Sequence, residues 1–398
     1  MIKNFSETTF IWWEIFMVLA LFSPPIPLGF TDTSSNVSSS LVIACLYIVW
    51  RTFYTKFRII NPSTIIGFVL TSLTIFFSFH SVYFLLAENK PNVFLLECQW
   101  IVYFIASLLM IFDMRHMEDC AQKIIKYLLI LLFIEGCLGI ITSFTGPIYK
   151  YAVGWYEGRF GFNIFRAIGT SSSANGLAGM MAFSLIITIF TPAKYLPLRK
   201  SVLGIVFAIA LLFTQSKSGI STFFVAFIII GFLQLLKYRS YKRFFKLYAI
   251  IGFLGLLVYQ FKEFIFLVST DLSSRKNFGQ VVMNQFYENS VFNQIFGIGF
   301  RQSAWINPET HGWVTAHNSY ISFLAEIGIL GCSILFALVI STFFNLYKQN
   351  SWPLLGGFLV ILIHLLSEGF IYGYTYISLI TLVFTISIIN KKSVDAFS

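Results

Sequence analysis

The polar and apolar positions of this 398-residue chain are organised as long apolar runs separated by mostly short polar breaks. Runs long enough to cross about 30 Å of hydrocarbon occur at 10–30, 40–57, 64–87, 93–113, 124–143, 175–191, 201–216, 219–236, 245–268, 318–346, 353–371 and 374–390. They predict about twelve transmembrane helices. Two breaks, 143–174 and 269–317, are too long to be turns. Loops beyond about 15 residues usually carry function or disorder, and the second is too aromatic and apolar for disorder. Within it Phe278, Val281, Val282 and Phe286 recur at near-helical spacing, with Gln280, Asn284 and Gln285 between them. This predicts a helix lying on the membrane surface as a lid or floor. Gly297-Ile298-Gly299 then predicts a turn. The expected fold is all-α: one polytopic membrane domain over 1–398, with no repeat of fixed period and no appended soluble domain.

Composition supports that class. With 57% hydrophobic and 11% charged residues and a mean hydropathy of +0.79, the chain has too little polar surface to coat a soluble globule. Its 47 phenylalanines do not point to a function, because aromatics fill lipid-facing surface and interfacial belts in any polytopic protein. If the amino terminus is cytoplasmic, the inward segments hold about twice as many Lys and Arg residues as the outward ones. Both termini are therefore expected inside, and both long loops outside. The net charge of +10 then reports topology rather than nucleic acid, since no basic loop interleaves aromatics and arginines as a platform for bases. The five cysteines (Cys45, Cys98, Cys120, Cys137, Cys332) lie in or beside apolar runs without CxxC or metal-ligand spacing. They read as packing residues, with neither a disulfide framework nor a metal expected. The first run ends in Ser23-Pro24-Pro25-Ile26-Pro27 with no small-residue cleavage site, which favours a retained span over a signal peptide.

Candidate chemistry gathers on the outward side. Arg166-Ala167-Ile168-Gly169-Thr170 leads through serines and Asn175 into a span, and amide groups at such a helix start attract anions. Ser216-Lys217-Ser218-Gly219 is a short turn that holds a lysine at the surface. Ser274-Arg275-Lys276 precedes the surface helix, Arg301 follows the Gly-x-Gly turn, and His317-Asn318 stands where a helix is expected to begin. The cationic sites at Arg166, Lys217 and Arg275-Lys276, with the imidazole, suit a substrate that carries a phosphate or pyrophosphate and presents a hydroxyl for deprotonation. The positive end of the helix dipole at His317 favours the neutral imidazole that a general base must be. Lone outward arginines also serve as snorkelling anchors, and interfacial histidines are comfortable structural residues. Their clustering in the longest loops is what points to chemistry. Glu326, a carboxylate inside a span and nine residues from His317, projects to the opposite helix face. A buried donor on a neighbouring span is its expected partner, and Gly328 and Gly331 are expected to permit close packing. Glu135, Glu368 and His364 are further polar residues in apolar runs, which a transporter would use as a proton path.

At these residues the chain resembles the O-antigen polymerase and O-antigen ligase superfamily of multispanning bacterial glycosyltransferases. His317-Asn318-Ser319-Tyr320-Ile321 through Glu326-Ile327-Gly328-Ile329-Leu330-Gly331 is similar to the family's H-N-x-Y-(x)n-E-x-G-x-x-G signature. Arg275 and Phe296-Gly297-Ile298-Gly299 resemble the arginine and G-x-G that precede it. Arg166, Gly169-Thr170 and Asn175-Gly176-Leu177-Ala178 resemble R-x-x-G-T-F-x-N-P-N-x-L-A, and Ser216-Lys217-Ser218 resembles the S-R-[GS] turn. Order and spacing agree over roughly residues 160–335, while residues 1–140 agree only as a hydropathy profile. Lys217 replaces the usual arginine, turning a bidentate clamp into a point charge, and Ala174 replaces a common proline.

The resemblance implies an inverting glycosyl transfer at the outer face of the cytoplasmic membrane, with neither cofactor nor metal. His317 and Arg275 would be catalytic; Arg166, Lys217 and Arg275 would bind the pyrophosphate; Asn318, Tyr320, Glu326 and Arg301 would support them. The partners would be undecaprenyl-pyrophosphate-linked glycan donor and acceptor, membrane lipids and, beyond them, a chain-length regulator, with no nucleic acid. A repeat-unit polymerase is the first reading, since no extra outward domain for a large acceptor is evident. A ligase acting on lipid A core, a wall or capsule polymerase, and a lipid-linked oligosaccharide flippase or other transporter stand as alternatives.

Overall fold

A computed structural model describes residues 2–22, 26–27, 36–37, 39–55, 65–114, 119–148, 165–171, 173–238, 279–300, 302–303, 305–306, 313–314 and 318–367. The described helices are α1 (Ile2–Phe22), α2 (Ser39–Thr55), α3 (Ile65–Leu86), α4 (Pro91–Met114), α5 (Cys120–Thr145), α6 (Ala174–Phe190), α7 (Lys200–Phe213) and α8 (Lys217–Tyr238). They continue with α9 (279–288), α10 (Val291–Phe296), α11 (Ser319–Lys348) and α12 (Trp352–Ser367). Two antiparallel ladders of two residues each, Ile26–Pro27 with Asn36–Val37 and Trp305–Ile306 with Trp313–Val314, are the β-structure among the described residues.

The all-helical, membrane-spanning character expected from hydropathy holds. Six helices (α1, α3, α4, α5, α8 and α11) are long and apolar enough to cross a membrane, and α2, α6, α7 and α12 are shorter apolar helices. The expected spans at 245–268 and 374–390 lie outside the described residues. The first helix begins at Ile2 rather than near residue 10. Two polar residues of its early turns are bonded: Ser6 donates to the Asp113 carbonyl of α4 at 2.7 Å, and Thr9 to the Phe5 carbonyl of its own helix at 2.9 Å. Its end at Phe22 follows from Pro24, which disfavours helical backbone at the residue before it.

One hydrophobic core runs through the bundle, with α4, α5, α6 and α12 contributing heavily. Helix α1 packs on α2, α4 and α5; α6 packs on α5, α7, α8 and α12; and α11 joins the two groups by lying against α3 and α12. Small residues permit the closest approaches. A Cβ at Gly219 of α8 would collide with Ala178 of α6, and one at Gly357 of α12 would stand 2.7 Å from Phe183 of α6. All five cysteines are free.

The two ends of the bundle differ. At one, Arg51 of α2 grips Asp113 of α4 through Nε (2.6 Å) and one terminal nitrogen (3.2 Å), and Tyr47 donates to the same carboxylate at 2.7 Å. Lys237, closing α8, donates to the Tyr347 carbonyl at the end of α11, and its ammonium lies over the Tyr347 and Trp352 rings. The other end gathers the carboxyl termini of α1, α5 and α7 and the amino termini of α6 and α8, and it carries the candidate site.

Candidate functional site

Residues 165–171 enter the bundle as extended backbone and a turn. The Phe165 amide donates to the Ser143 carbonyl, and the Ala167 amide to the Phe213 carbonyl at 2.8 Å. Between them Arg166 is buried, at 4% exposure. Its Nε donates to the Thr214 carbonyl at 2.9 Å, and one terminal nitrogen donates to Asn175 Oδ1 at 2.9 Å. The guanidinium thus links the loop before α6, the first turn of α6 and the end of α7. Ser173 caps α6, accepting from the Gly176 amide at 3.0 Å.

The link to Thr214 matters because the second predicted cation is three residues further on. Gln215 takes the left-handed conformation (φ 50°), and Ser216 caps the next helix by accepting from the Gly219 amide at 3.2 Å. Lys217 is accordingly the first residue of α8, half-buried, rather than a residue within a turn. Its start is held close to α6 by the Gly219–Ala178 approach. The Arg166 segment and the Ser216-Lys217-Ser218 segment, distant in the chain, therefore form one polar assembly at one end of the bundle.

Helix α11 supplies the second assembly. Asn318 is its N-cap, accepting from the amides of Tyr320 (3.0 Å) and Ile321 (3.3 Å). The Tyr320 hydroxyl donates to the Leu362 carbonyl of α12 at 2.8 Å. Since α12 also packs on α6 and α8, it is the shared neighbour of the two assemblies. The helix begins where the sequence predicts, so residue 317 immediately precedes its cap. His317, Arg275 and Arg301 themselves lie outside the described residues.

The run 318–346 is not one continuous helix. Gly328 has φ 66° and ψ −176°, backbone that only glycine adopts readily, and it divides α11 into a short outer half and a longer inner half. The break leaves the Ala325 and Glu326 carbonyls without their helical donors, and the Gly-x-Gly loop supplies replacements. The Ile298 amide donates to the Ala325 carbonyl and the Gly299 amide to the Glu326 carbonyl, both at 3.0 Å. Gly297 and Gly328 meet so closely that a Cβ on either would collide with the other segment's backbone. Both glycines thus permit the close packing expected, Gly328 against the docked loop at a break in the helix and Gly331 against α3, where a Cβ would stand 2.8 Å from Phe76.

Glu326 is 1% exposed, and its carboxylate accepts from the Ser303 hydroxyl. The expected donor on a neighbouring span is instead a loop residue, because the loop that fills the helix break carries Ser303 to that depth. The predicted surface helix is helical over 279–288, with Val282 and Phe286 buried and Gly279 and Val282 against Ile321 and Ala325. It lies on the outer half of α11, as a lid or floor would.

Sequence reading missed the Arg51–Asp113 pair at the far end of the bundle and a second pair that lies beside the docked loop. His80 of α3 and Glu97 of α4, both buried, meet at 2.8 Å (His80 Nδ1 to Glu97 Oε1). The imidazole is flanked by Phe76 and Phe84, and the Phe300 backbone hydrogen-bonds the carboxylate. This pair underlies the same loop that docks into α11. Both residues are equidistant from the turn between α3 and α4, the register at which antiparallel neighbours face each other; that symmetry was the available signal.

Glu135 of α5 and His364 of α12 are buried, and Glu368 lies outside the described residues. Glu135 accepts from the Thr170 amide and hydroxyl, each at 2.8 Å, so its partners belong to the turn after Arg166.

No curated protein matches the chain. Residues 202–336, which contain Lys217 at the start of α8, the segment 279–303 and the outer half of α11, match the family model described as O-Antigen ligase. That region carries the Lys217 side of the first assembly and the loop and helix start of the second, and over it the match supports the O-antigen ligase and polymerase superfamily of multi-pass membrane proteins.

Proposed function

We propose that the protein is a polysaccharide polymerase that joins undecaprenyl-pyrophosphate-linked repeat units at the outer face of the cytoplasmic membrane. A hydroxyl of the incoming lipid-linked unit attacks the anomeric carbon of the growing glycan. The new C–O bond forms as the bond to the pyrophosphate breaks, the configuration inverts, and undecaprenyl pyrophosphate leaves with the electron pair. His317 accepts the hydroxyl proton, and Arg166, Lys217 and Arg275 hold the diphosphate as its charge grows. The supporting observation is the convergence of the Arg166 and Lys217 segments at one bundle end, with the capped start of α11 reached through the shared neighbour α12.

The description of the matched family also favours a second reading, a ligase that passes the finished glycan to lipid A core through the same donor site. Purified protein given a lipid-linked repeat unit, with and without lipid A core, separates them. Longer glycans on the polyprenyl lipid mark a polymerase and labelled lipid A core marks a ligase; neither product would leave transport. His317→Ala and Arg275→Ala are each expected to abolish elongation while the protein still inserts; wild-type chain lengths in both would remove the site.

A further inference from the structure

Glu135 has no part in the reaction just described, yet it is the buried support of the turn that follows Arg166. The chain from Arg166 to Asn175 is a closed loop, joined at its ends by the guanidinium–amide bond of 2.9 Å. Its interior rests on two side chains of α5. Thr142 Oγ1 lies 3.3 and 3.1 Å from the amides of Ile168 and Gly169, and the Glu135 carboxyl takes the next turn residues. One carboxyl oxygen accepts from the Thr170 amide at 2.8 Å and the other meets the Thr170 hydroxyl at 2.8 Å, while the Ser171 backbone adds a further bond. The Thr170 hydroxyl also reaches the Leu21 carbonyl at the end of α1 at 2.8 Å. Gly169 sits against the carboxyl in left-handed backbone (φ 57°), where a Cβ would collide with Oε1.

A carboxyl at 1% exposure needs these donors, because a buried acceptor stripped of its partners bears the full cost of desolvation. The turn cannot lift from α5 without incurring that cost, so the carboxyl fixes the path of the backbone that ends in Arg166. We propose that Glu135 is a positioning residue that sets where the Arg166 guanidinium stands. The consequence for activity rests on the pyrophosphate role given to Arg166 above; the structural consequence does not.

The test uses full-length protein in lipid nanodiscs and reads two quantities. Hydrogen exchange over 165–176 reports the turn, and the dependence of elongation rate on lipid-linked donor concentration reports the guanidinium. Glu135→Ala should speed exchange of the 167–171 amides at least tenfold without changing exchange in α8 or α12. It should raise the donor concentration for half-maximal rate at least tenfold, with kcat falling less. Glu135→Gln should behave as wild type in both. Its amide oxygen can accept from the Thr170 amide while its NH2 donates to the Thr170 hydroxyl, leaving that hydroxyl to donate to Leu21.

If Glu135 acts through Arg166, Glu135→Ala should add little to the effect of Arg166→Ala. Unchanged exchange in Glu135→Ala, or full additivity with Arg166→Ala, overturns the proposal. Wild-type elongation by Arg166→Ala would overturn the pyrophosphate reading instead, while the exchange data still decide whether Glu135 holds the turn. Should Glu135→Ala not insert, Thr170→Val, which removes the hydroxyl contacts to Glu135 and Leu21 and keeps the amide bond to the carboxyl, is read in the same two ways.

Discussion

The amide of Gly299 donates to the carbonyl of Glu326 at 3.0 Å, so a loop supplies a bond that a neighbouring helical turn would ordinarily make. In a hydrocarbon setting an unsatisfied backbone group costs several kcal/mol, which is why broken helices survive only where protein fills the gap. Here the filling segment is Phe296-Gly297-Ile298-Gly299, and it is tied to the outer half of α11, the half against which α9 also packs. The motif glycines and Glu326 thereby act as one joint. Its function is to fix the height and direction of the helix start.

Gly328→Ala should therefore be damaging well beyond a helix-propensity change. Its backbone region costs a non-glycine residue roughly 1–3 kcal/mol, and the new Cβ would collide with the Ile295 carbonyl. The expected outcome is inserted protein with a lower melting temperature and little or no chain elongation. An alanine variant with wild-type chain lengths would mean that α11 can straighten without loss of function.

How much of this was legible in the sequence follows from what each feature depends on. The described apolar helices were, because each apolar run carries its own signal. The start of α11 near residue 318 was, because the switch from polar to apolar residues is local. The break at Gly328 was not: the run 318–346 is apolar throughout, glycine is common in transmembrane helices, and the cause of the break is a loop some thirty residues upstream. The joining of Arg166 to Thr214 was visible only as two motifs in the right order, since sequence spacing does not say that α6 and α8 share a close small-residue contact.

The His80–Glu97 pair gives a stability prediction. Removing one member leaves a buried polar partner uncompensated, which typically costs about 3–5 kcal/mol where the pair is ionised, whereas replacing both with apolar residues of similar size often costs little. His80→Met and Glu97→Met should each lower thermal stability strongly, and the double variant should recover much of the loss. Because the Phe300 backbone bonds to Glu97, the single variants should also disturb the Gly-x-Gly loop. Additive losses in the double variant would show that the two side chains act independently.

Lys217→Arg should retain elongation. The half-buried lysine opens α8 beside the Arg166 assembly, where a guanidinium keeps the charge and adds a second arm for a diphosphate. Lys217→Met should raise the donor concentration needed for half-maximal rate. Complete loss in the arginine variant would show that the helix start is packed around the ammonium and has no room for the fork.

Asn318 distinguishes helix capping from substrate contact. Its side-chain oxygen accepts from the amides of Tyr320 and Ile321, and replacing such a cap with alanine usually costs about 1 kcal/mol. The outer half of α11 is only nine residues long before Gly328, so fraying of its first turn would move whatever precedes it. Asn318→Asp and Asn318→Ser both preserve a capping oxygen and should keep most of the activity, while Asn318→Ala should lose it in step with faster amide exchange at 320–322. If the serine variant keeps the helix start protected yet fails to elongate glycans, the amide of Asn318 is engaged by the substrate rather than by the helix alone.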